Sequence, residues 1–343
     1  MSQATGGREP PKGSDTVATL FHKSRSLQDQ QLPPTKDSDK PHISKECVSA
    51  FEHTLRSLFP QCTIKTRCMD SGDDPCVMEI TISAPSDFKM PLDNLRRDIH
   101  ISTFEREWNV EAVFQQYSQY SSKKRLAVFD MDSTLIQQEV IDEVARKLGV
   151  EREVSTITAR AMNGELDFTA SLRARCALLR GVPSSVFEEL KSVITYTPGA
   201  EDLVRALKST GCKTAVLSGG FTPLASWVAG RLGLDYAHAN HLVVSEDGKT
   251  LTGELEGEIV NAEKKREHVL SIAKKEGIEL EHVLAVGDGA NDLKMMSVAG
   301  LGVAFNAKPK VQQEAPARLN SSSLLDVLYL LGHTKKEQEE LLR

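Results

Sequence analysis

What most constrains the fold of this chain is a set of short apolar runs, each ending at a polar or acidic residue. Leu126-Ala127-Val128-Phe129 leads into Asp130-Met131-Asp132-Ser133-Thr134, and Thr214-Ala215-Val216-Leu217 leads into Ser218-Gly219-Gly220. Val283-Leu284-Ala285-Val286 leads into Gly287-Asp288-Gly289-Ala290-Asn291-Asp292. Strands buried on both faces read as continuous apolar runs, and open α/β sheets hold ligands at the C-terminal ends of their strands. Helical patterns alternate with these runs, which predicts a parallel, three-layer α/β domain.

Two carboxylates as close as Asp130 and Asp132 repel unless a cation lies beside them or one keeps a proton. Both solutions suit phosphoryl transfer, where Mg²⁺ neutralises phosphate oxygens and a carboxylate can be the nucleophile. The Ser218 hydroxyl and the glycine amides after it can donate to phosphate oxygens, although a strand-to-helix turn uses the same residues. Lys264 and Lys265 open a helix expected from Ala262 to Lys275, where either could meet a phosphate or simply be solvated. Asp288 is a candidate Mg²⁺ ligand. Asp292 is either a helix-start acid or a partner that orients the lysine. Each signal is weak alone; together and in this order they are strong.

The four elements match the ordered motifs of the haloacid dehalogenase superfamily, and within it Phe129 to Val144, Ala161 to Leu179, Ser218 to Phe221 and Val286 to Asp292 resemble the phosphoserine phosphatases. The resemblance covers roughly Lys124 to Gly332. It implies a Rossmann-like core with a helical cap inserted after the first strand. It further implies hydrolysis of O-phosphoserine to serine and phosphate, the last step of serine biosynthesis. Asp130 is then the nucleophile, and Asp132 the proton donor that later becomes the base. Mg²⁺ falls to Asp130, the backbone carbonyl of Asp132, and Asp288. Ser218, Gly219 and Lys265 grip the phosphoryl group, with Asn291 and Asp292 in support. Glu139 and Arg175 match the family's readers of the substrate ammonium and carboxylate, and an arginine fork suits a carboxylate. Met162 and Phe168 either line the pocket or form the core of a helical bundle. Other readings are a phosphatase for another small phosphomonoester and a catalytically idle metabolite sensor. The intact Asp130, Asp132, Lys265 and Asp288 oppose the sensor.

The chain has 343 residues, 40% hydrophobic and 26% charged, enough for two or three domains with sizeable cores. A net charge of −6 offers no basic surface for nucleic acid, and no apolar run is long enough to span a membrane. Six cysteines without a Cys-x-x-Cys pair predict reduced thiols and a cytoplasmic setting. A homodimer is compatible with these features. Residues 1–44, rich in Pro, Ser, Gly, Lys and Asp, read as a disordered tail, and their acids oppose a transit peptide. Residues 45–120 read as a small α+β domain, ACT-like by resemblance, with helices at Glu46–Phe59 and Pro91–His100 and strands at Cys76–Ile82 and Trp108–Phe114. Residues 124–335 read as the phosphatase domain, with a helical cap over about 139–196, Asp247-Gly248 as a hairpin turn, and Leu301 to Phe305 as the last core strand.

Overall fold

The structure, a computed structural model, describes residues 15–23, 42–70, 72–83, 92–162 and 165–343. The chain divides into two compact units, one of residues up to Ser122 together with Leu328–Glu340, the other of Lys123–Val327 with the last three residues.

The first unit holds strands β1 (Thr16–His22), β2 (Thr63–Cys68), β3 (Val77–Ser83) and β4 (Val110–Gln116), with helices at Lys45–Leu58, Leu92–Arg97 and Ile99–Trp108. The sheet order is β2-β3-β1-β4 and every pairing is antiparallel, the split βαβ arrangement of ferredoxin-like folds. Ala18, Leu20, Ile80, Ile82, Ala112 and Phe114 pack against Phe51, Leu55 and Phe104 of the helices. The structure departs from three expectations. The supposed tail contains β1, a central strand; the rest of residues 1–44 lies outside the described residues apart from 15, 23 and 42–44. β1 is buried on both faces and includes Thr16 and Thr19, so it lacks the polar–apolar alternation that marks a half-exposed strand. The expected boundary at 335 is also moved. Leu328–Glu340 packs on the N-terminal sheet, where the Gln115 Nε2 donates to the Leu330 carbonyl (3.0 Å) and Phe21 meets Tyr329 edge-on. The expected strand at Trp108 begins at Val110, because Asn109 takes a left-handed conformation (φ 52°) that ends the preceding helix.

The second unit carries β5 (Leu126–Phe129), β6 (Lys213–Phe221), β7 (Tyr236–Val244), β8 (Leu251–Glu256), β9 (Val283–Gly287), β10 (Leu301–Phe305) and β11 (Ala317–Leu319) in the order β11-β10-β9-β5-β6-β7-β8. All neighbours are parallel except the β7–β8 hairpin, which turns through Gly248. β11 is a strand beyond the last one expected; its three residues are too few to show a pattern. β5 has no exposed side chain, and burial of each of its larger residues contributes about 1.5–3 kcal/mol. From β5 the chain goes to β6 on one side and later returns to β9 on the other, so the switch point lies at the ends of these three strands. Between β5 and β6 lie the cap helices Val140–Leu148, Glu151–Met162, Phe168–Ala177 and Val186–Leu190. The two stems of this insertion pair with each other at Ile136 and Tyr196.

Candidate active site

Strand register brings the chemistry together. Phe129 lies opposite Val216 and Val286, so Asp130, Ser218 and Asp288 all emerge within two residues of one level. The Asp130 backbone N–H donates to the Val286 carbonyl (2.9 Å), and its side chain accepts from the Met131 N–H (2.7 Å). That side chain caps a tight turn, Met131–Leu135, in which Ser133 adopts φ 54°. A left-handed serine is sparsely populated and here serves a purpose: its Oγ donates to Glu139 Oε1 (2.6 Å).

Lys265 has no exposed surface. Its helix, Ala262–Glu276, is capped by Asn261, whose side chain accepts from the Lys264 N–H (3.0 Å), and it ends at Gly277 with φ 62°. Val269, Ile272 and Ala273 fix its buried face. The Lys265 ammonium meets Asp130 Oδ1 at 2.8 Å and Asp292 Oδ1 at 2.6 Å. Burial lowers this lysine's hold on its proton; Asp130 and Asp292 outweigh burial and keep its pKa above the ordinary value. Lys264, by contrast, pairs with Glu258 and Glu267 at the surface. Of the two adjacent lysines, the structure selects Lys265.

Asp292 accepts on both oxygens, from Lys265 and from the Gly289 N–H (3.0 Å), which ties the last motif to the lysine. Carboxylate oxygens of Asp130, Asp288 and Asp292 lie within 4.8 Å of one another. Asp288 is pushed up to about 8, by burial first and then by the charges of Asp130 and Asp292. Asp132 lies close to Gly220, where an added Cβ would come 3.0 Å from Oδ2, and its buried Oδ1 has no hydrogen-bond partner among the described residues. Burial, then the charges of Glu139 and Asp130, push its carboxyl well above the usual range, which favours the acid form a proton donor needs. Among the described residues, the basic groups that act on these five carboxylates (Asp130, Asp132, Glu139, Asp288, Asp292) include Lys265 and Arg175. A phosphate could join so acidic a set only with a further cation, and Mg²⁺ favours such hard oxygen donors. The donor set therefore fits a divalent ion between Asp130 and Asp288.

Ser218 is buried and its Oγ accepts from the Gly220 N–H (2.8 Å), leaving its own proton to give. Gly219 admits close neighbours: a Cβ there would sit 3.0 Å from the Phe168 ring and 3.8 Å from Asn291 Nδ2. Phe168 thus closes on the Ser218–Gly220 loop from the cap, while the side chain of Met162 lies outside the described residues. Arg175 is half-buried on the same cap helix as Phe168. Burial lowers its pKa, countered by Asp142, Glu139 and Asp132 among its neighbours. Crowding by protein atoms raises the Glu139 carboxyl, against the Ser133 bond. Sequence reasoning missed Asn240, a buried amide that donates to the Gly219 carbonyl (2.8 Å) and accepts from the Val260 N–H (2.8 Å). It joins the Ser218 loop to the segment entering the Lys265 helix. Nothing in the surrounding run Tyr236–Val244 marks it, since one polar residue in a half-exposed strand is ordinary.

The haloacid dehalogenase-like hydrolase family model matches residues 124–300. The chain belongs to the haloacid dehalogenase-like hydrolases. Within that class its similarity is to phosphoserine phosphatases. A probable phosphoserine phosphatase of Schizosaccharomyces pombe is 50% identical over 234 residues, covering 68% of this chain and 78% of the relative. A probable phosphoserine phosphatase from Vibrio cholerae, solved without ligand, aligns over 95% of this chain and 88% of its own at 30% identity and a TM-score of 0.67. A structure described as a phospho-aspartyl intermediate analogue of phosphoserine phosphatase covers 60% of this chain and 98% of its own, at 47% identity and a TM-score of 0.57.

Proposed function

We propose that this protein hydrolyses O-phospho-L-serine to L-serine and phosphate through a covalent aspartyl-phosphate. The observation that carries the reading is the pairing of Asp130, in contact with a buried lysine, with Asp132, a buried carboxyl biased towards its acid form. An oxygen of Asp130 attacks phosphorus, and the seryl oxygen leaves with the proton of Asp132. Asp132 then takes a proton from the water that attacks the aspartyl-phosphate, releasing phosphate and restoring both carboxyls. Lys265, the Ser218 hydroxyl and the Gly219 amide hold the phosphoryl oxygens, with Asn291 and Asp292 behind them. Mg²⁺, held by Asp130, Asp288 and the Asp132 carbonyl, would supply charge neutralisation of the transferring group. Glu139 and Arg175 read the substrate ammonium and carboxylate.

The split βαβ topology supports reading the N-terminal unit as ACT-like. Six cysteines without a Cys-x-x-Cys pair suit a reducing, cytoplasmic setting, and no helix among the described residues is long and apolar enough to cross a membrane. A homodimer is our working assembly. The test is a phosphate-release screen over small phosphomonoesters with and without Mg²⁺. We expect phosphoserine to exceed glycerol phosphate by orders of magnitude and chelator to silence both. Comparable rates on the two esters, or full activity in excess chelator, would refute the reading.

A further inference from the structure

The second half of the cap is sewn to the β7–β8 hairpin. The Gly181 N–H donates to Leu251 O (2.8 Å), Leu251 N–H to Val182 O (2.7 Å) and Ser184 N–H to Lys249 O (2.8 Å). The Ser184 hydroxyl adds a bond to Gly248 O (2.7 Å). Just before this seam the helix Phe168–Ala177 ends against Gly253. A Cβ there would lie 3.0 Å from the Cys176 carbonyl oxygen, 3.2 Å from Ala177 Cα and 3.3 Å from the Ala177 carbonyl oxygen, and the backbone has φ +79°. Glycine meets both demands at once, a left-handed backbone and no side chain facing a helix end. At its other end the same helix sets Phe168 against Gly219. The helix thus fits between two glycines, one in the phosphate-binding loop and one on the hairpin.

We propose that the hairpin, through Gly253, is the stop that fixes this helix along its axis and so sets how far Arg175 stands from the phosphate site. Gly253 is then a positioning residue that selects substrates by the span between their phosphate and carboxylate groups. The inference rests on the reading of Arg175 as the carboxylate's partner. Any side chain at 253 presses on backbone atoms of the last helical turn. The seam stops the segment after the helix from swinging away as a body, so the helix itself takes up the push. Arg175 lies in that last turn, and its Nε donates to Ser171 O (3.4 Å), which joins it to its own helix. Its guanidinium follows the helix.

The experiment measures kcat and KM for O-phosphoserine and for phosphoethanolamine, which lacks the carboxylate, in wild type, Gly253→Ala, Arg175→Ala and the double variant. Arg175→Ala should cut kcat/KM for phosphoserine by about 30- to 1000-fold with little effect on phosphoethanolamine. Gly253→Ala should cost phosphoserine about tenfold, mostly in KM, and phosphoethanolamine less than about twofold. Added to Arg175→Ala, it should change the phosphoserine value by less than about twofold, because both changes remove one contact. Equal losses on the two substrates, or full additivity in the double variant, overturn the proposal. If Gly253→Ala does not fold by circular dichroism, Ser184→Ala decides. A phosphoserine-selective loss of about threefold supports the seam's role, and a loss shared by both substrates or absent from both overturns it. If Arg175→Ala itself hits both substrates equally, the reading of Arg175 fails, which the Arg175 arm shows independently of Gly253.

Discussion

Lys265, a lysine without exposed surface whose ammonium lies between two carboxylates, carries a structural charge beside the phosphate-holding role we propose for it. Lys265→Met keeps most of the volume and leaves Asp130 and Asp292 unmatched in the interior. We expect a loss of about 3–5 kcal/mol in stability, read by chemical denaturation, because a buried pair broken on one side leaves an uncompensated charge. Turnover should fall by at least about 100-fold, the scale of one lost donor to a developing oxyanion. Near-normal stability in this variant would contradict a structural role for the Lys265 charge. At this scale the sequence was most legible where chemistry sits at a strand end. Asp130, Ser218 and Asp288 could be named because an apolar run that stops at a polar residue carries a local signal. Spacing favours Lys265 over Lys264 only slightly and the resemblance made the choice; the burial that separates them is visible only in the fold, since adjacent positions on a helix differ in the face they present. Asn240 and the Ser133 bond to Glu139 were invisible, because each is a contact between segments and not a pattern within one.

Elements with strong apolar periodicity or an unbroken apolar run were read well, as β5, β9 and β10 show, and those with an interrupted run or very few residues were not. The helix Lys45–Leu58 and the amphipathic helix Val140–Leu148 lie within a residue or two of their expected places, their apolar periodicity being strong. β1 was missed because Thr16 and Thr19 break its apolar run and it sits amid residues rich in proline, serine and charge. The segment Leu328–Glu340 was misassigned because sequence adjacency to the catalytic unit says nothing about which sheet it covers. Leu330 tests that placement. It is fully buried, and its carbonyl accepts from Gln115 of β4. Leu330→Ala should cost about 2–4 kcal/mol through the cavity it leaves, lowering the thermal midpoint of the unit containing β1–β4. Protection of the β1 and β4 amides in hydrogen exchange should fall with it. Unchanged protection there would detach the segment from the N-terminal sheet.

The whole molecule concentrates acid at one rim, and that should show in its response to pH and metal. In the metal-free protein Asp288 is held up to about 8 against an ordinary carboxylate value of 3.8, so the native state binds a proton that the unfolded chain has already lost. Stability must then decline as pH rises through that window, because the native state binds more protons than the unfolded one. Melting of the chelated protein should therefore shift down between pH 5 and 8, by an amount that Mg²⁺ reverses most strongly at the alkaline end. A chelated protein that gained stability across this range would show that the carboxylates are not crowded. The central claim, however, is covalent: phosphate passes through Asp130. Enzyme mixed with ³²P-labelled phosphoserine and quenched in acid within milliseconds should carry label on one peptide, the one containing Asp130. Asp130→Asn should carry none and should not turn over. Label on another residue, or steady turnover by Asp130→Asn, would contradict the account.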